Sequence, residues 1–121
     1  MESFGKNDAS ENTAKAPMRL ISEESWKYMT APRLNEDQLS TANWYSLQGY
    51  NYGCLMRVLA DPEKAETPMI PCGEFGWDGW AGTYFSVDPV NNIVLLYFIN
   101  VTNGNREWQM KALKRVIYDN L

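Results

Sequence analysis

Apolar and polar residues alternate through the second half of the chain, and this alternation predicts β-strands. Between Tyr50 and Ala60 tyrosines and aliphatic residues occupy every second position, which predicts one strand. Two more strands are predicted over Glu74–Val87 and Asn92–Val101. The segment Asp88–Asn92 between them has the Asp, Pro and Asn residues of a tight antiparallel turn.

The final segment changes to helical spacing. Trp108, Ala112 and Val116 recur every four residues, so we expect this face of a helix to pack on the sheet. Asn105 is a suitable N-cap for that helix, and Lys114 lies toward its C-terminal end, where the helix dipole favours a cation.

The first half of the chain is less regular. Residues 1–16 are polar and predict a flexible tail that ends at Pro17. Ser22 and the residues after it predict a short helix over Glu23–Met29. Arg33–Gln48 is predicted to be irregular and anchored by burial of Trp44, Tyr45 and Leu47. Asp61–Pro71, with three prolines, is predicted to be a loop.

These elements predict one α+β domain over residues 17–121. Its antiparallel sheet has three or four strands, and a short N-terminal helix and a C-terminal helix pack on the sheet. A chain of 121 residues is expected to form a single domain, and its 45% hydrophobic content is sufficient for a core.

Composition excludes several function classes. The net charge is −4 without a basic stripe, so nucleic acid is not an expected partner. The chain has no histidine, which excludes Ser-His-Asp and Cys-His catalysis. Cys54 and Cys72 are too few for a structural zinc site, and no cofactor is expected. The two thiols are predicted to be buried, and one disulfide is the alternative.

Targeting signals are not evident either. Met1–Pro17 lacks the apolar core of a signal peptide, and no apolar run approaches the length of a membrane span. The cellular location stays open.

Residues 73–89 are the most informative stretch, because small residues alternate with aromatic ones before an Asp-Pro pair. Gly79 and Gly82 lack a Cβ, which permits close approach by other backbone or by a ligand. Phe75–Pro89 resembles the third active-site strand of the serine β-lactamases and penicillin-binding-protein-like hydrolases. It is most similar to their class C and esterase-like branch, in which a Trp-Gly-Gly type of run often replaces Lys-Thr-Gly.

Two earlier segments extend the resemblance to the region from about Met18 to Leu121. Arg19–Ser25 resembles the family's entry to a helix, and Gly49–Cys54 resembles its glycine- and tyrosine-rich strand. In the complete family fold this region supplies a helix, the third to fifth sheet strands and the terminal helix. The resemblance also implies that Ile93–Val101 is an interior strand, paired on one side with a strand that this chain lacks.

The resemblance implies a substrate-binding role for Trp77, Asp78, Gly79 and Trp80. Trp77-Asp78-Gly79 takes the place of Lys-Thr-Gly, so the family's cation and hydroxyl are replaced by an indole and a carboxylate. Trp80 takes the place of the residue whose backbone N–H completes the oxyanion hole, a role that needs backbone geometry rather than a particular side chain.

The family's nucleophile is not credible in this chain. Ser3-Phe4-Gly5-Lys6 has the spacing of the Ser-x-x-Lys motif but lies in the polar tail, without a strand before it. Tyr118-Asp119-Asn120 has the letters of the Tyr-x-Asn motif but comes last instead of between the other two. We interpret both matches as chance, and no catalytic residue is assigned.

Two function hypotheses follow. In the first, the chain is the C-terminal part of a β-lactamase-related serine hydrolase and is inactive alone. In the second, it is a stand-alone binding or protein-interaction module with that fold. The five Trp and seven Tyr suggest this, because they are more than a small core easily buries. The expected partner is the missing N-terminal part of the hydrolase or a second copy bound through the edge of Ile93–Val101.

Overall fold

A computed structural model describes residues 18–42, 48–102 and 106–121. Three α-helices and five β-strands lie in these ranges, together with a short 3-10 helix at Pro62–Lys64. In chain order the elements are α1 (Glu23–Met29), α2 (Glu36–Thr41), β1 (Tyr50–Tyr52), β2 (Arg57–Leu59), β3 (Phe75–Asp78), β4 (Tyr84–Asp88), β5 (Ile93–Tyr97) and α3 (Arg106–Tyr118).

The strands form one antiparallel sheet in the order β1-β2-β3-β4-β5, so each strand pairs with its neighbours along the chain. This arrangement confirms the predicted α+β class with an antiparallel sheet and a C-terminal helix. The described residues form five strands rather than three or four, because two of the predicted strands each fold back into a hairpin.

The predicted strand Tyr50–Ala60 is the first of these hairpins. The chain reverses between β1 and β2, where the N–H of Gly53 donates to the carbonyl of Met56 at 2.8 Å. Leu55 takes the left-handed backbone region with φ of 61°, which a continuous strand does not allow. The prediction of one strand was therefore wrong, because the apolar alternation continues through the turn.

The predicted strand Glu74–Val87 is the second hairpin, made of β3 and β4, so that prediction was also wrong. The third predicted strand exists but is shorter, at Ile93–Tyr97. The turn at Asp88–Asn92 is confirmed: the Asp88 carboxylate accepts the N–H groups of Val90 and Asn91 at 2.9 and 3.1 Å.

Local capping explains the two N-terminal helices. Ser22 caps α1 by accepting the N–H of Ser25 at 3.0 Å, and α1 has the predicted bounds. The segment predicted to be irregular contains α2 instead. There Asn35 and Gln38 form a reciprocal capping box, in which each side chain accepts the backbone N–H of the other.

The terminal helix is confirmed, but its buried face differs from the predicted one. Met110 and Lys114 are buried against the sheet, whereas Trp108 and Val116 are 66% and 64% exposed. The buried face of α3 therefore repeats every four residues as predicted, but it is shifted by two residues along the helix. The prediction failed because Lys114, which is charged, takes a core position.

The two faces of the sheet are covered to different extents. Lys114 of α3 contacts Glu74, and the next residue, Phe75, points to the opposite face. On that face the ring of Trp26 from α1 packs edge-on against Phe75 with centroids 5.1 Å apart. The buried apolar residues lie mainly in and next to the strands: Val58, Leu59, Ala65, Ile70, Phe75, Tyr84 and Met110.

Several predictions lie outside the described residues. These are the flexible tail 1–16, the Ser3–Lys6 match, the anchors Trp44, Tyr45 and Leu47, and the cap Asn105. Cys54 and Cys72 form no disulfide. Cys54 is only partly buried and Cys72 is exposed, so the prediction of two buried thiols was wrong. None of the helices in the described ranges combines the length and apolar character that crossing a bilayer requires.

Candidate functional site

The four residues predicted to bind substrate lie together at the end of the β3–β4 hairpin. Trp77 and Asp78 end β3, and Gly79 and Trp80 begin the turn. The Gly79 N–H donates to the Thr83 carbonyl at 2.8 Å, and the Gly82 N–H donates to the Gly79 carbonyl at 3.0 Å. These bonds define a three-residue loop, Trp80-Ala81-Gly82, that reverses the chain.

Glycine is required at Gly82 of this hairpin end, and a side chain at Gly79 would displace that of Thr83. Gly82 has φ of +89°, the left-handed conformation that a loop of this length needs at its last residue. A Cβ on Gly82 would lie 2.7 Å from Cγ2 of Ile99, and one on Gly79 would overlap the Thr83 hydroxyl. The close approach predicted for these glycines is therefore made by the protein itself.

The two tryptophans have different surroundings. Trp77 packs edge-on against Tyr52, with ring centroids 5.3 Å apart, so it is held in the fold. Trp80 is 87% exposed at the hairpin tip. It also occupies the second position of the Gly79–Gly82 turn, whose N–H takes no part in the hydrogen bond that closes the turn. A backbone N–H that closes no bond in its own turn and an exposed indole therefore belong to the same residue.

Asp78 lies on the other side of the hairpin end from Trp77. It pairs in register with Tyr84, and strand alternation directs both toward the face that α3 covers. The hairpin end thus carries a carboxylate on one face, an aromatic pair on the other and the Trp80 N–H at its tip.

A buried charge network lies directly behind this hairpin, and hydrophobic spacing does not predict it. Glu74, which is fully buried, accepts the Tyr50 hydroxyl at 2.9 Å. Its Oε1 also lies 3.5 Å from Nη2 of Arg57 and 3.4 Å from Nζ of Lys114. The Glu74 carboxylate, directly before β3, thus contacts side chains from β1, β2 and α3.

Two tyrosines complete the charge network. Nη2 of Arg57 donates to the Tyr84 hydroxyl at 2.6 Å, and its guanidinium lies 4.8 Å from the centre of that ring. Burial and the negative charge of Glu74 raise the pKa of Tyr50, so its hydroxyl stays a donor. Burial acts to lower the pKa of Arg57, but attraction to Tyr84 and Glu74 outweighs it and the pKa is raised. Every fully buried side-chain polar atom in the described part of the chain has a hydrogen-bond partner.

A second carboxylate, Asp88, fixes the end of the helix. The Tyr118 hydroxyl donates to it at 2.8 Å, in addition to the two turn N–H groups and the Asn91 side chain. Burial acts to raise the pKa of Asp88, but these donated hydrogen bonds outweigh burial and lower it. Tyr118 thus links α3 to the β4–β5 turn.

The Asp88 contacts predict a loss of stability in acid. A carboxylate whose pKa is lower in the folded state stabilises the fold above its unfolded pKa of about 3.9 and loses that contribution as the pH falls through the folded value. Urea unfolding measured from neutral pH to about pH 3 should show this loss. Asp88→Asn should flatten the slope below about pH 4, and Tyr118→Phe should flatten it partly. An Asp88→Asn slope equal to that of the unchanged protein would contradict the assignment.

Other chemistry finds little support in the described ranges. They contain no group of three or more His, Cys, Asp or Glu residues placed to hold a metal ion. A surface cleft of about 310 Å³ lies between α2 and the start of β1, but Trp77, Asp78, Gly79 and Trp80 do not line it. The cleft borders Ala42 and Gln48, which flank residues outside the described ranges.

No family model matches this chain. Two proteins of Mycobacterium tuberculosis are similar to it: Protein Rv1367c of strain H37Rv and Uncharacterized protein MT1414 of strain CDC 1551. Each is 33% identical over 89 residues, which is 68% of this chain and 21% of the relative. The chain therefore spans about a fifth of the length of the curated relatives it matches.

Proposed function

We propose that this chain forms one wall of the active site in a β-lactamase-related serine hydrolase of the class C and esterase-like branch. The hairpin end at Trp77–Trp80 lines the substrate site. The nucleophilic serine and its lysine belong to a part of the hydrolase outside this chain. The 121 residues alone are then inactive toward β-lactams and esters.

The order of the elements supports the proposal. A short helix, an antiparallel meander of strands and a packed terminal helix follow one another along the chain, which is the order of element types that the resemblance implies. The length of the relatives supports it as well. Proteins about five times longer than the matched segment have room for a nucleophile region elsewhere.

The backbone of Trp80 is the observation that carries the proposal. An oxyanion hole needs N–H groups that are fixed in place and have no partner within their own turn. Trp80 meets this need, because Gly79 and Gly82 fix the turn while the Trp80 N–H lies at its exposed second position. If Trp80 has this role, the activity of the complete protein should fall when its N–H is removed and should persist when its indole is removed.

The test begins with the genomic reading frame upstream of Met1, which should encode Ser-x-x-Lys and then Tyr-x-Asn. The complete protein should hydrolyse nitrocefin or p-nitrophenyl acetate, and the 121-residue chain should not. In the complete protein Trp80→Pro removes the N–H at a turn position that accepts proline, and should lower kcat by about 100-fold to 1,000-fold. Trp80→Ala keeps the N–H and is the matched control.

Two results would contradict this proposal. A reading frame that lacks either motif would rule out the proposal that this chain belongs to a serine hydrolase. If the two Trp80 variants are equally active and circular dichroism shows that both are folded, the Trp80 N–H is not part of the oxyanion hole. Turnover by the isolated chain that disappears in Ser3→Ala would instead assign catalysis to the Ser3–Lys6 match.

The second candidate is a stand-alone binding or protein-interaction module. The exposure of Trp80 favours it, because an indole that contacts little of its own chain is a suitable anchor for a partner. The two candidates separate in the same experiment: a reading frame that starts at Met1 favours the binding module.

A further inference from the structure

The last strand, β5, forms an edge of the sheet. It pairs with β4 on one side, and no strand in the described ranges pairs with its other side. In an antiparallel sheet alternate residues of an edge strand direct their N–H and C=O groups outward, where another strand can bind them. β5 therefore has an unused pairing side along Ile93–Tyr97.

The opposite edge of the sheet is protected. The N–H of Arg33 donates to the carbonyl of Tyr52 at 3.0 Å, and the Asn51 side chain accepts the N–H groups of Arg33 and Leu34. The segment after α1 thus covers β1. Contacts of this kind are not found along the outer side of β5 within the described residues.

The sequence of β5 also lacks the usual protection of edge strands. Natural edges carry a lysine, another charge, a proline or a bulge that prevents association. From Ile93 to Val101 there is neither a charged residue nor a proline. Val94, Leu96 and Phe98 are also 63%, 58% and 78% exposed, since the α1 side of the sheet is covered near Phe75 but not at β5.

We propose that β5 pairs antiparallel with β5 of a second copy of this chain. A two-fold axis at Leu95, the middle residue of the strand, places Val94 opposite Leu96 of the second copy and Ile93 opposite Tyr97 of the second copy. Each pair is apolar or aromatic, and no like charges meet. The two five-stranded sheets then form one continuous sheet.

The same features predict a weak and salt-dependent dimer. Strand alternation places Val94 and Leu96 of both copies on one face, so the contact adds a small apolar strip to the backbone hydrogen bonds. One five-residue strand from each copy is expected to bury much less than the roughly 1,200–2,000 Å² of stable complexes. Each copy also carries a net charge of −4, and added salt screens the repulsion between them. Association should therefore appear at high concentration and strengthen with salt.

Sedimentation equilibrium of the 121-residue chain, from micromolar to near-millimolar concentration and at low and high salt, tests the proposal. The weight-average mass should rise from the monomer's 13.9 kDa toward twice that value. Val94→Lys places a charge in the contact and should raise the dissociation constant at least about tenfold. Val116→Lys is the matched control, because it makes the same change at an equally exposed valine on α3 and should leave the constant unchanged.

Hydrogen exchange gives a second measurement that does not depend on a variant. Amides of Ile93–Tyr97 that face away from β4 should exchange more slowly at high than at low protein concentration. A strict monomer at all concentrations, equal weakening by both valine variants, or growth beyond a dimer would each overturn the proposal. The proposal concerns the 121-residue chain by itself, because in a complete hydrolase the resemblance implies that a strand outside this chain pairs with the same edge of β5. Failure of the dimer test leaves the hydrolase proposal standing, and a reading frame without the catalytic motifs leaves the dimer proposal standing.

Discussion

Glu74→Leu is expected to lower the free energy of unfolding by about 3–5 kcal/mol, the effect of removing one partner from a buried ion pair. The substitution leaves the cations of Arg57 and Lys114 buried without their carboxylate, and it removes the acceptor of the Tyr50 hydroxyl. Denaturant unfolding followed by far-UV circular dichroism measures the change.

An exposed ion pair on the same helix provides the control. Lys111 of α3 pairs with Glu66 at 2.6 Å, but these side chains are 40% and 47% exposed, whereas Glu74 is fully buried. Glu66→Leu should cost less than about 1 kcal/mol, because water screens an exposed pair. If the two leucine variants lose similar stability, the charge network behind the hairpin is not what holds α3 to the sheet.

A compensating variant separates the lost charge from the lost packing. Arg57→Met and Lys114→Met, combined with Glu74→Leu, remove both cations together with the carboxylate. Apolar replacement of a whole buried ion group is often neutral or stabilising, so this triple variant should recover most of the stability lost by Glu74→Leu. Failure to recover would mean that the Tyr50 and Tyr84 hydroxyls, which lose their partners in the triple variant, dominate the energetics.

The sequence predicted elements well where local chemistry decides them. The Ser22 cap and Pro32 after the helix define α1, and helical spacing predicts that α3 exists. The reversals inside two predicted strands were missed because their turns contain Cys, Leu, Met, Trp and Ala, which continue the apolar pattern. Glycine was the available signal: Gly53 and Gly82 each lie at a reversal.

The hairpin end and the charge network differ in how far the sequence can predict them. Trp77 to Trp80 are consecutive, so any fold that forms this strand brings them together. The charge network instead joins Tyr50, Arg57, Glu74 and Lys114, which are up to 64 positions apart. Hydrophobic spacing placed Trp108, Ala112 and Val116 on the buried face of α3. It missed Lys114, because apolar spacing cannot show that a buried carboxylate, Glu74, pairs with a lysine.

Gly76→Ala is the second large effect and tests the geometry of the strand that carries the candidate site. A Cβ on Gly76 would overlap the carbonyl oxygen of Phe85 and lie 2.9 Å from the Cα of Ser86, both on the backbone of β4. Since backbone has no other rotamer to adopt, the two strands must separate or shift. We expect a loss of at least about 1–3 kcal/mol, the usual range for overpacking.

Gly73→Ala distinguishes this clash from an ordinary glycine effect. Gly73 has φ of +93°, but there is open space where a Cβ would lie. Gly73→Ala should therefore lower the free energy of unfolding by about 1–2 kcal/mol, the penalty of a left-handed backbone alone. Hydrogen exchange separates the two causes. Gly76→Ala should speed exchange along Phe75–Asp78 and Tyr84–Asp88, since the β3–β4 ladder itself is displaced, whereas Gly73→Ala should leave that ladder protected. An intact ladder in Gly76→Ala would mean that β3 and β4 lie farther apart than described. The turn that holds the Trp80 N–H would then be less rigidly fixed than an oxyanion hole requires.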